Sequence, residues 1–149
     1  MQLEFIAITQ ADISQLMPIE NACHSHPWSE KVFASCLGER YFGYYLKAEK
    51  AIVGFYVGEY ILGEATLMDI CVSPDYQGNG YGKYLLEHYQ RQAKTLGAET
   101  LLLEVRAKNI SALMMYINDG YSEIGRRTGY YPSEIGYEDA IVMKKILTA

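Results

Sequence analysis

The sequence has few of the features that mark membrane-bound, secreted or nucleic-acid-binding proteins. No apolar run approaches the ~18–20 residues that a bilayer-spanning helix needs, so no membrane contact is expected. The first five residues, Met-Gln-Leu-Glu-Phe, carry no positive charge, unlike the start of a signal peptide. Basic residues are outnumbered, with 13 Lys and Arg against 18 Asp and Glu, and they form no stripe. Direct binding to nucleic acid is therefore not expected.

The chain also has few cysteines and no segment with the composition of an interdomain linker. The three cysteines, Cys23, Cys36 and Cys71, form no Cys-x-x-Cys pair, and we expect reduced thiols in a cytoplasmic protein. The chain has no repeat, no low-complexity stretch and no linker rich in Pro or Ser, so positions 1–149 are predicted to form a single domain. The composition that remains, 50% apolar and 21% charged, is ordinary for a globular protein.

Local patterns predict a mixed sheet with helices. Thr9 with Asp12 marks a helix start, and Ser29 can cap a second, short helix. Strands are predicted at 41–48, 51–62, 64–72, 100–105, from 121 onward and at 140–146, and later helices after the glycines near position 80 and at 109–118. Because hairpins come first and a strand–helix–strand unit follows, we expect a mixed sheet in an α/β or α+β fold.

Two predicted helices have a clear apolar face. The short helix after Ser29 should bury Val32, Phe33, Cys36 and Leu37. The long helix has a stripe at offsets 0, 3, 4, 7, 11 and 14, and Gly97 should cap its C-terminus. The stripe consists of Gly82, Leu85, Leu86, Tyr89, Ala93 and Leu96.

The most informative segment is Gln77-Gly78-Asn79-Gly80-Tyr81-Gly82-Lys83, which lies between an apolar strand and the long helix. Glycines allow close approach of a ligand, and the first amides of a helix have no intrahelical partners. The helix dipole adds partial positive charge at the same place. The segment therefore predicts a site for a phosphate-bearing molecule.

Two common phosphate-binding motifs do not fit this segment. A nucleotide-triphosphate loop needs Ser or Thr after the lysine, and Tyr84 stands there. A dinucleotide fold needs a third glycine where Leu85 stands, although Glu104 lies near the position of its acidic residue. More than sixty residues also precede the loop, which a dinucleotide fold does not require.

Gln77-x-x-Gly80-x-Gly82, followed at the right separation by Asn109 and Tyr116, resembles the GNAT superfamily of N-acetyltransferases. Further segments resemble the branch that acetylates the N-terminal alanine of a small-subunit ribosomal protein: positions 24–30, 38–41, 103–109 and 130–132. The resemblance implies a partly splayed sheet of about six or seven strands flanked by helices. It also implies acetyl-CoA as co-substrate, a protein N-terminus as acceptor, direct attack of the amine on the thioester, and no metal.

The resemblance assigns roles to particular residues. It makes Glu104 the general base and Tyr116 the acid for the coenzyme A thiolate. From the residues alone, Glu104 could equally pair with Arg106, and Tyr116 could pack in the core. The implied cofactor-binding residues are Ile70, Cys71, Val72, Gly78, Asn79, Gly80, Tyr81, Gly82, Lys83 and Asn109, of which Asn109 could also cap its helix.

Other reactive residues have weaker claims. Cys71 suggests an acyl-cysteine, but no histidine has a motif-based reason to lie beside it, so a buried structural thiol is favoured. His24 and His26 suggest metal ligation, but no Cys or carboxylate cluster is expected to join them, so a turn at the surface is favoured. Trp28 is expected to anchor the same loop to the core.

The acceptor is the least determined part of the prediction. The segments 130–132 and 138–139 are expected near a peptide substrate. The alternative is that they form a solvated loop without contact to the substrate. A lysine or a small-molecule amine would need the same cofactor residues. A non-catalytic acyl-CoA sensor is the alternative of another class.

Overall fold

The structure is a computed structural model that describes the backbone of residues 2–133 and 136–147 and the side chains of residues 2–128 and 139–147. Within those residues, seven strands form one sheet in the order β1-β2-β3-β4-β5-β7-β6. All neighbouring strands are antiparallel except β4 and β5, which run parallel. The strands are β1 (Leu3–Ala7), β2 (Tyr41–Ala48), β3 (Ala51–Ile61), β4 (Glu64–Val72), β5 (Thr100–Arg106), β6 (Ser122–Ser133) and β7 (Gly136–Ile146).

In the described part of the chain, four α-helices cover the two faces of the sheet: α1 (Ile13–Cys23), α2 (Glu30–Ser35), α3 (Tyr81–Leu96) and α4 (Ile110–Asn118). Phe55 and Val57 of β3 pack with α1 and α2, whereas Tyr56 between them packs with α3 and α4. Because side chains alternate along a strand, the two apolar clusters lie on opposite faces. None of the described helices combines the length and the apolar character needed to cross a membrane.

The middle of β4 contains one extra residue. Val57 of β3 lies opposite Asp69, and the next residue, Gly58, lies opposite Leu67, which leaves Met68 unpaired. This β-bulge shifts the alternation, so Leu67 and Ile70 both contact the α3 cluster although they are three residues apart.

The sheet splays directly after this bulge. The parallel ladder pairs residues 64–67 of β4 with residues 100–103 of β5 and continues no further. Beyond Leu67 and Leu103 the two strands separate, although both continue for several residues. The mixed sheet predicted from the residue patterns is confirmed, and so is the partial splay that the resemblance implies.

The approach of α3 to the sheet depends on a glycine in β3. A Cβ on Gly54 would lie far inside van der Waals distance of the Cys71 carbonyl oxygen and 3.0 Å from Leu85 Cδ1. Only hydrogen fits at this position, so Gly54 allows β4 and α3 to pack closely behind the splay.

Several predictions about local structure need correction. Strand β1 was not predicted from the sequence. Val32 is 44% exposed because α2 is less than two turns long and turns only Phe33 and Cys36 fully inward. Leu96, the last residue of α3, is 47% exposed, whereas His88 is buried although it lies outside the apolar stripe.

Candidate active site

A cleft of about 1050 Å³ opens where β4 and β5 separate. Its walls come from the end of α1, from β4 after the bulge, from the loop before α3, from the end of β5 and from α4. The predicted site residues that line it are Ile70, Cys71, Val72, Gly78, Gly80, Tyr81, Gly82, Lys83, Glu104, Asn109 and Tyr116. Residues that are far apart in the chain thus meet around one cavity.

The glycine-rich loop presents open backbone to this cleft. Gly78 and Gly80 have φ values of +81° and +82°, a region that favours glycine, and no atom lies within 4 Å of where a Cβ would stand. The first helical hydrogen bond of α3 runs from the Tyr84 N–H to the Gly80 carbonyl over 3.2 Å. The amides that precede it have no carbonyl partner within the helix, so they are available to an anion.

Asn79 is the one predicted cofactor-binding residue that is not among the residues lining the cleft. Its side-chain amide donates to the carbonyls of Tyr76 and Gln77 over 3.1 and 3.4 Å. These hydrogen bonds stabilise the conformation of the loop and leave the Asn79 side-chain amide engaged within it. Any contribution of Asn79 to the ligand would come from its backbone.

The backbone of β4 also faces the cleft. The Ser73 N–H donates to the Val53 carbonyl over 2.8 Å, which makes the neighbouring pair of Gly54 and Val72 a non-hydrogen-bonded one. The amide of Val72 therefore points away from β3, and so does that of Ile70, two residues earlier. No strand occupies that side in the described residues, because the β5 ladder ends at Leu67.

One carbonyl on this side of β4 is already used. The Val72 carbonyl accepts hydrogen bonds from the Cys23 thiol over 3.2 Å and from the Gln77 side-chain amide over 3.1 Å. Gln77 thereby ties the glycine-rich loop to the end of β4. The first residue of the motif thus has a structural role in the placement of the loop.

Tyr116 and Asn109 both belong to α4 and its cap. The Asn109 side-chain oxygen accepts from the Ala112 N–H over 3.3 Å, so this residue does cap the helix while it lines the cleft. Tyr116 is buried, and its ring lies edge-on to that of Tyr121 at 5.8 Å between centroids. Tyr116 is therefore both a core side chain and a residue of the cleft wall.

A lysine holds the end of α4. The Lys145 ammonium donates to the Asp119 carbonyl over 2.7 Å, to the Asp119 carboxylate over 2.9 Å and to the Gln90 side chain over 3.1 Å. These bonds join β7, α3 and the residue after α4. The helix that carries Tyr116 is therefore fixed at both ends, by Asn109 and by Lys145.

Glu104 lies at the cleft end of β5 and forms an ion pair with Arg127 of β6 over 3.0 Å. Its side chain is 25% exposed. The sequence suggests Arg106 as a partner and gives no indication of Arg127, because the register of β6 cannot be read from the sequence. The ion pair fixes the position of the carboxylate at the cleft end of the strand.

A second polar group lies at the other end of the cleft, between α1 and β4. It consists of Glu20, His24, Asp69 and Cys71, hereafter the α1–β4 cluster. His24 Nε2 lies 2.8 Å from Asp69 Oδ1, 3.2 Å from Cys71 Sγ and 3.6 Å from Glu20 Oε1. Cys71 Sγ lies 3.5 Å from Glu20 Oε1 and 3.4 Å from Asp69 Oδ1.

The α1–β4 cluster corrects two expectations. His24 does not simply lie in a surface turn, because it contacts a cysteine and two carboxylates, and a histidine does lie beside Cys71. His26, by contrast, is exposed, as expected. Trp28 lies edge-on to Phe33 at 5.5 Å, in keeping with its predicted anchoring role.

The residues of the α1–β4 cluster differ in the direction in which their pKa values are shifted. Burial first, and the adjacent Asp69 second, raise the pKa of Glu20 to about 8. Burial opposes the ionisation of Asp69, but hydrogen bonds from His24 and Glu20 outweigh it and hold its pKa below the ordinary value. The hydrogen bond to Asp69 raises the pKa of His24, and burial raises the pKa of the Cys71 thiol. At neutral pH, Asp69 therefore carries the negative charge and Glu20 keeps its proton.

The predicted peptide-contact segments lie largely outside the described side chains. This applies to Tyr130, Tyr131, Pro132 and Glu138. Asp139 is described, and its carboxylate lies 4.0 Å from an Arg126 guanidinium nitrogen.

Comparison with known proteins gives N-acetyltransferases by family profile, by sequence and by structure. The Acetyltransferase (GNAT) family profile matches residues 13–121. The [ribosomal protein bS18]-alanine N-acetyltransferase of Escherichia coli (strain K12) is 42% identical over 137 residues, which cover 92% of this chain and 93% of the relative. The Haemophilus influenzae protein of that name is 41% identical over 91% of this chain and 93% of its own. A crystal structure of the Escherichia coli ribosomal-protein-S18-alanine N-acetyltransferase superposes with a TM-score of 0.95 at 39% identity, over 99% of this chain and 96% of that one.

Proposed function

The chain belongs to the GNAT acetyltransferase family, and on that premise we propose that it acetylates the N-terminal alanine of ribosomal protein bS18. Acetyl-CoA, the donor used by this family, is the co-substrate. The observation that carries the proposal is the likeness to bS18-alanine N-acetyltransferases over 92% of this chain. Residues 1–149 would act as one acetyltransferase domain, and from the ribosomal substrate we infer that the reaction takes place in the cytoplasm.

The cleft has the groups that acetyl-CoA requires. The amides of the loop and of the first turn of α3, from Gly78 to Lys83, would hold the diphosphate, and Lys83 would add its charge. The pantetheine arm would lie along β4 like an added strand, because the amides of Ile70 and Val72 point into the splay. One of these amides would polarise the thioester carbonyl and stabilise the developing oxyanion.

The reaction we propose is direct transfer without metal. The amine nitrogen attacks the thioester carbon, the carbon–sulfur bond breaks, and coenzyme A leaves as a thiolate. An α-amino group has a pKa of ~8, so a modest base is sufficient at neutral pH. Glu104 would take the amine proton, directly or through a water molecule, and Tyr116 would give a proton to the thiolate.

An acyl-cysteine intermediate has less support. Burial raises the pKa of Cys71, so its thiol stays protonated at neutral pH and is a poor nucleophile. We therefore assign to Cys71 a structural role in the wall of the cleft, with its backbone as the part next to the donor.

Paired peptides test the acceptor. One peptide carries the bS18 N-terminal sequence with a free alanine, and the other carries the same sequence with a blocked N-terminus and an internal lysine. After incubation with acetyl-CoA, mass spectrometry should show one acetyl group on the first peptide and none on the second. Acetylation of the second peptide alone would instead favour a lysine acetyltransferase, and tight acetyl-CoA binding without any acetylation would favour a sensor.

A further inference from the structure

The α1–β4 cluster has the composition and spacing of a metal site. Its four ligand atoms, one from each residue, all lie within 4.8 Å of one another. Four of the five measured separations, 3.2 to 3.6 Å, are close to the roughly 3.3–3.8 Å expected between neighbouring ligands of a tetrahedral ion with bonds of ~2.0–2.3 Å. The fifth, 2.8 Å between His24 Nε2 and Asp69 Oδ1, is a hydrogen-bond distance that would lengthen when the ion replaces the shared proton. We propose that Glu20, His24, Asp69 and Cys71 form a site for Zn²⁺.

The geometry of α1 and β4 supports this assignment. Glu20 and His24 are four residues apart on α1, so they lie on one face of the helix, and Asp69 and Cys71 are two apart on β4, so they lie on one face of the strand. The bulge at Met68 sets the phase that turns both strand residues toward α1. Two elements distant in sequence thus supply two ligands each.

A second observation points to a missing partner. Among the described residues, Asp69 Oδ2 is buried and has no hydrogen-bond partner, although Oδ1, the other carboxylate oxygen, is bonded to His24. Such a group is costly to leave unpaired. A hydrogen bond from a residue outside the cluster orients the Glu20 carboxylate. Its Oε2 accepts from the Trp28 N–H over 2.8 Å, while Oε1 faces the other ligands. An outer hydrogen bond of this kind is typical of residues that ligate metals.

The donor atoms select the ion. One thiolate, one imidazole nitrogen and two carboxylate oxygens suit Zn²⁺, whereas Mg²⁺ and Ca²⁺ prefer oxygen ligands only. Binding requires the protons of Glu20, Cys71 and His24 Nε2 to leave for the solvent, because each of these atoms must offer a lone pair. Zn²⁺ affinity should therefore rise with pH. The ion would join the end of α1 to β4, and it takes no part in the acetyl transfer proposed above.

Metal titration of the chelator-treated protein tests the proposal. At a Zn²⁺ concentration a hundredfold above its Kd, Tm should rise by roughly 5–10 °C. Co²⁺ should give a thiolate-to-metal charge-transfer band together with tetrahedral d–d bands. Asp69→Asn should weaken Zn²⁺ binding by more than about tenfold.

Matched cysteine variants identify the sulfur. Cys71→Ser should abolish the charge-transfer band, whereas Cys36→Ser, in a buried thiol outside the cluster, should retain it. Cys23→Ser is the stricter control, because that thiol contacts Cys71 but donates to the Val72 carbonyl, and this variant should also retain the band. A native protein with no Co²⁺ thiolate band and no Zn²⁺-dependent rise in Tm would overturn the proposal, whether or not each variant folds. A band lost in Cys23→Ser but kept in Cys71→Ser would overturn the ligand assignment.

Discussion

Acidification should destabilise this protein through one buried histidine on α3. His88 is buried and stacks on Phe5 with 3.7 Å between ring centroids. Its Nδ1 lies 2.7 Å from the hydroxyl of Tyr56, which is itself buried. Burial first, and the charge of Arg91 second, lower the pKa of His88 to about 4. The folded protein therefore keeps His88 neutral at a pH where the unfolded chain would bind a proton.

The sign and size of the effect follow from linkage. The unfolded histidine titrates near 6.5 and the folded one near 4, so the unfolded state binds more protons between these values. The penalty is absent above the unfolded pKa and grows as pH falls toward the folded pKa. It amounts to about 2 kcal/mol at pH 5 and about 3 kcal/mol at pH 4, relative to pH 8.

Urea denaturation between pH 8 and pH 5, with a chelator present, measures this effect. His88→Gln removes the titrating group, so the free energy of unfolding of the wild type should fall by about 2 kcal/mol more than that of the variant over this range. The control is His26→Gln, at an exposed histidine, because the proposed cause is burial. Parallel pH dependences for wild type and His88→Gln would refute the reasoning, whatever the absolute stability of the variant.

Three further variants test the packing and the proposed chemistry. Gly54→Ala should reduce the free energy of unfolding by about 1–3 kcal/mol in urea denaturation, since the new methyl would overlap the Cys71 carbonyl; unchanged stability would show that this contact is not tight. Tyr116→Phe should lower kcat at least about a hundredfold in steady-state assays with little change in the Kd for acetyl-CoA, whereas Tyr121→Phe should not; normal turnover would remove Tyr116 from the mechanism. Glu104→Gln should shift the pH–rate profile toward higher pH, where the amine loses its proton unaided, and an unaltered profile would argue against the base.

Elements with strong local signals could be predicted from the sequence. The strand limits at Tyr41–Ala48 and Glu64–Val72 agree with the structure, because turn residues bound both runs. The helix after the glycines ends at Gly97 with φ +107°, as its capping position predicts. Strand β1 was missed because it is only five residues long and pairs with β2 across almost forty residues of chain.

The candidate site also has parts that follow from local sequence and parts that depend on long-range contacts. The glycine-rich loop and the Asn109 cap are contiguous motifs, and the structure places both on the cleft. The pairing of Glu104 with Arg127 depends on strand register, which composition and spacing do not encode. The contact of His24 with Cys71 depends on how α1 docks on β4 and on the phase of the bulge, and neither could be derived without the fold.

The extra residue in β4 has a consequence for insertions and deletions. Met68 is the only residue by which this strand departs from regular alternation, so its deletion would leave Leu67, Asp69 and Ile70 on their present faces. What would be lost is the bend, and a straight β4 could continue to pair with β5 beyond Leu103. A protein shortened by this one residue could therefore keep its core and still have no room for a ligand, which separates the ability to fold from the ability to bind.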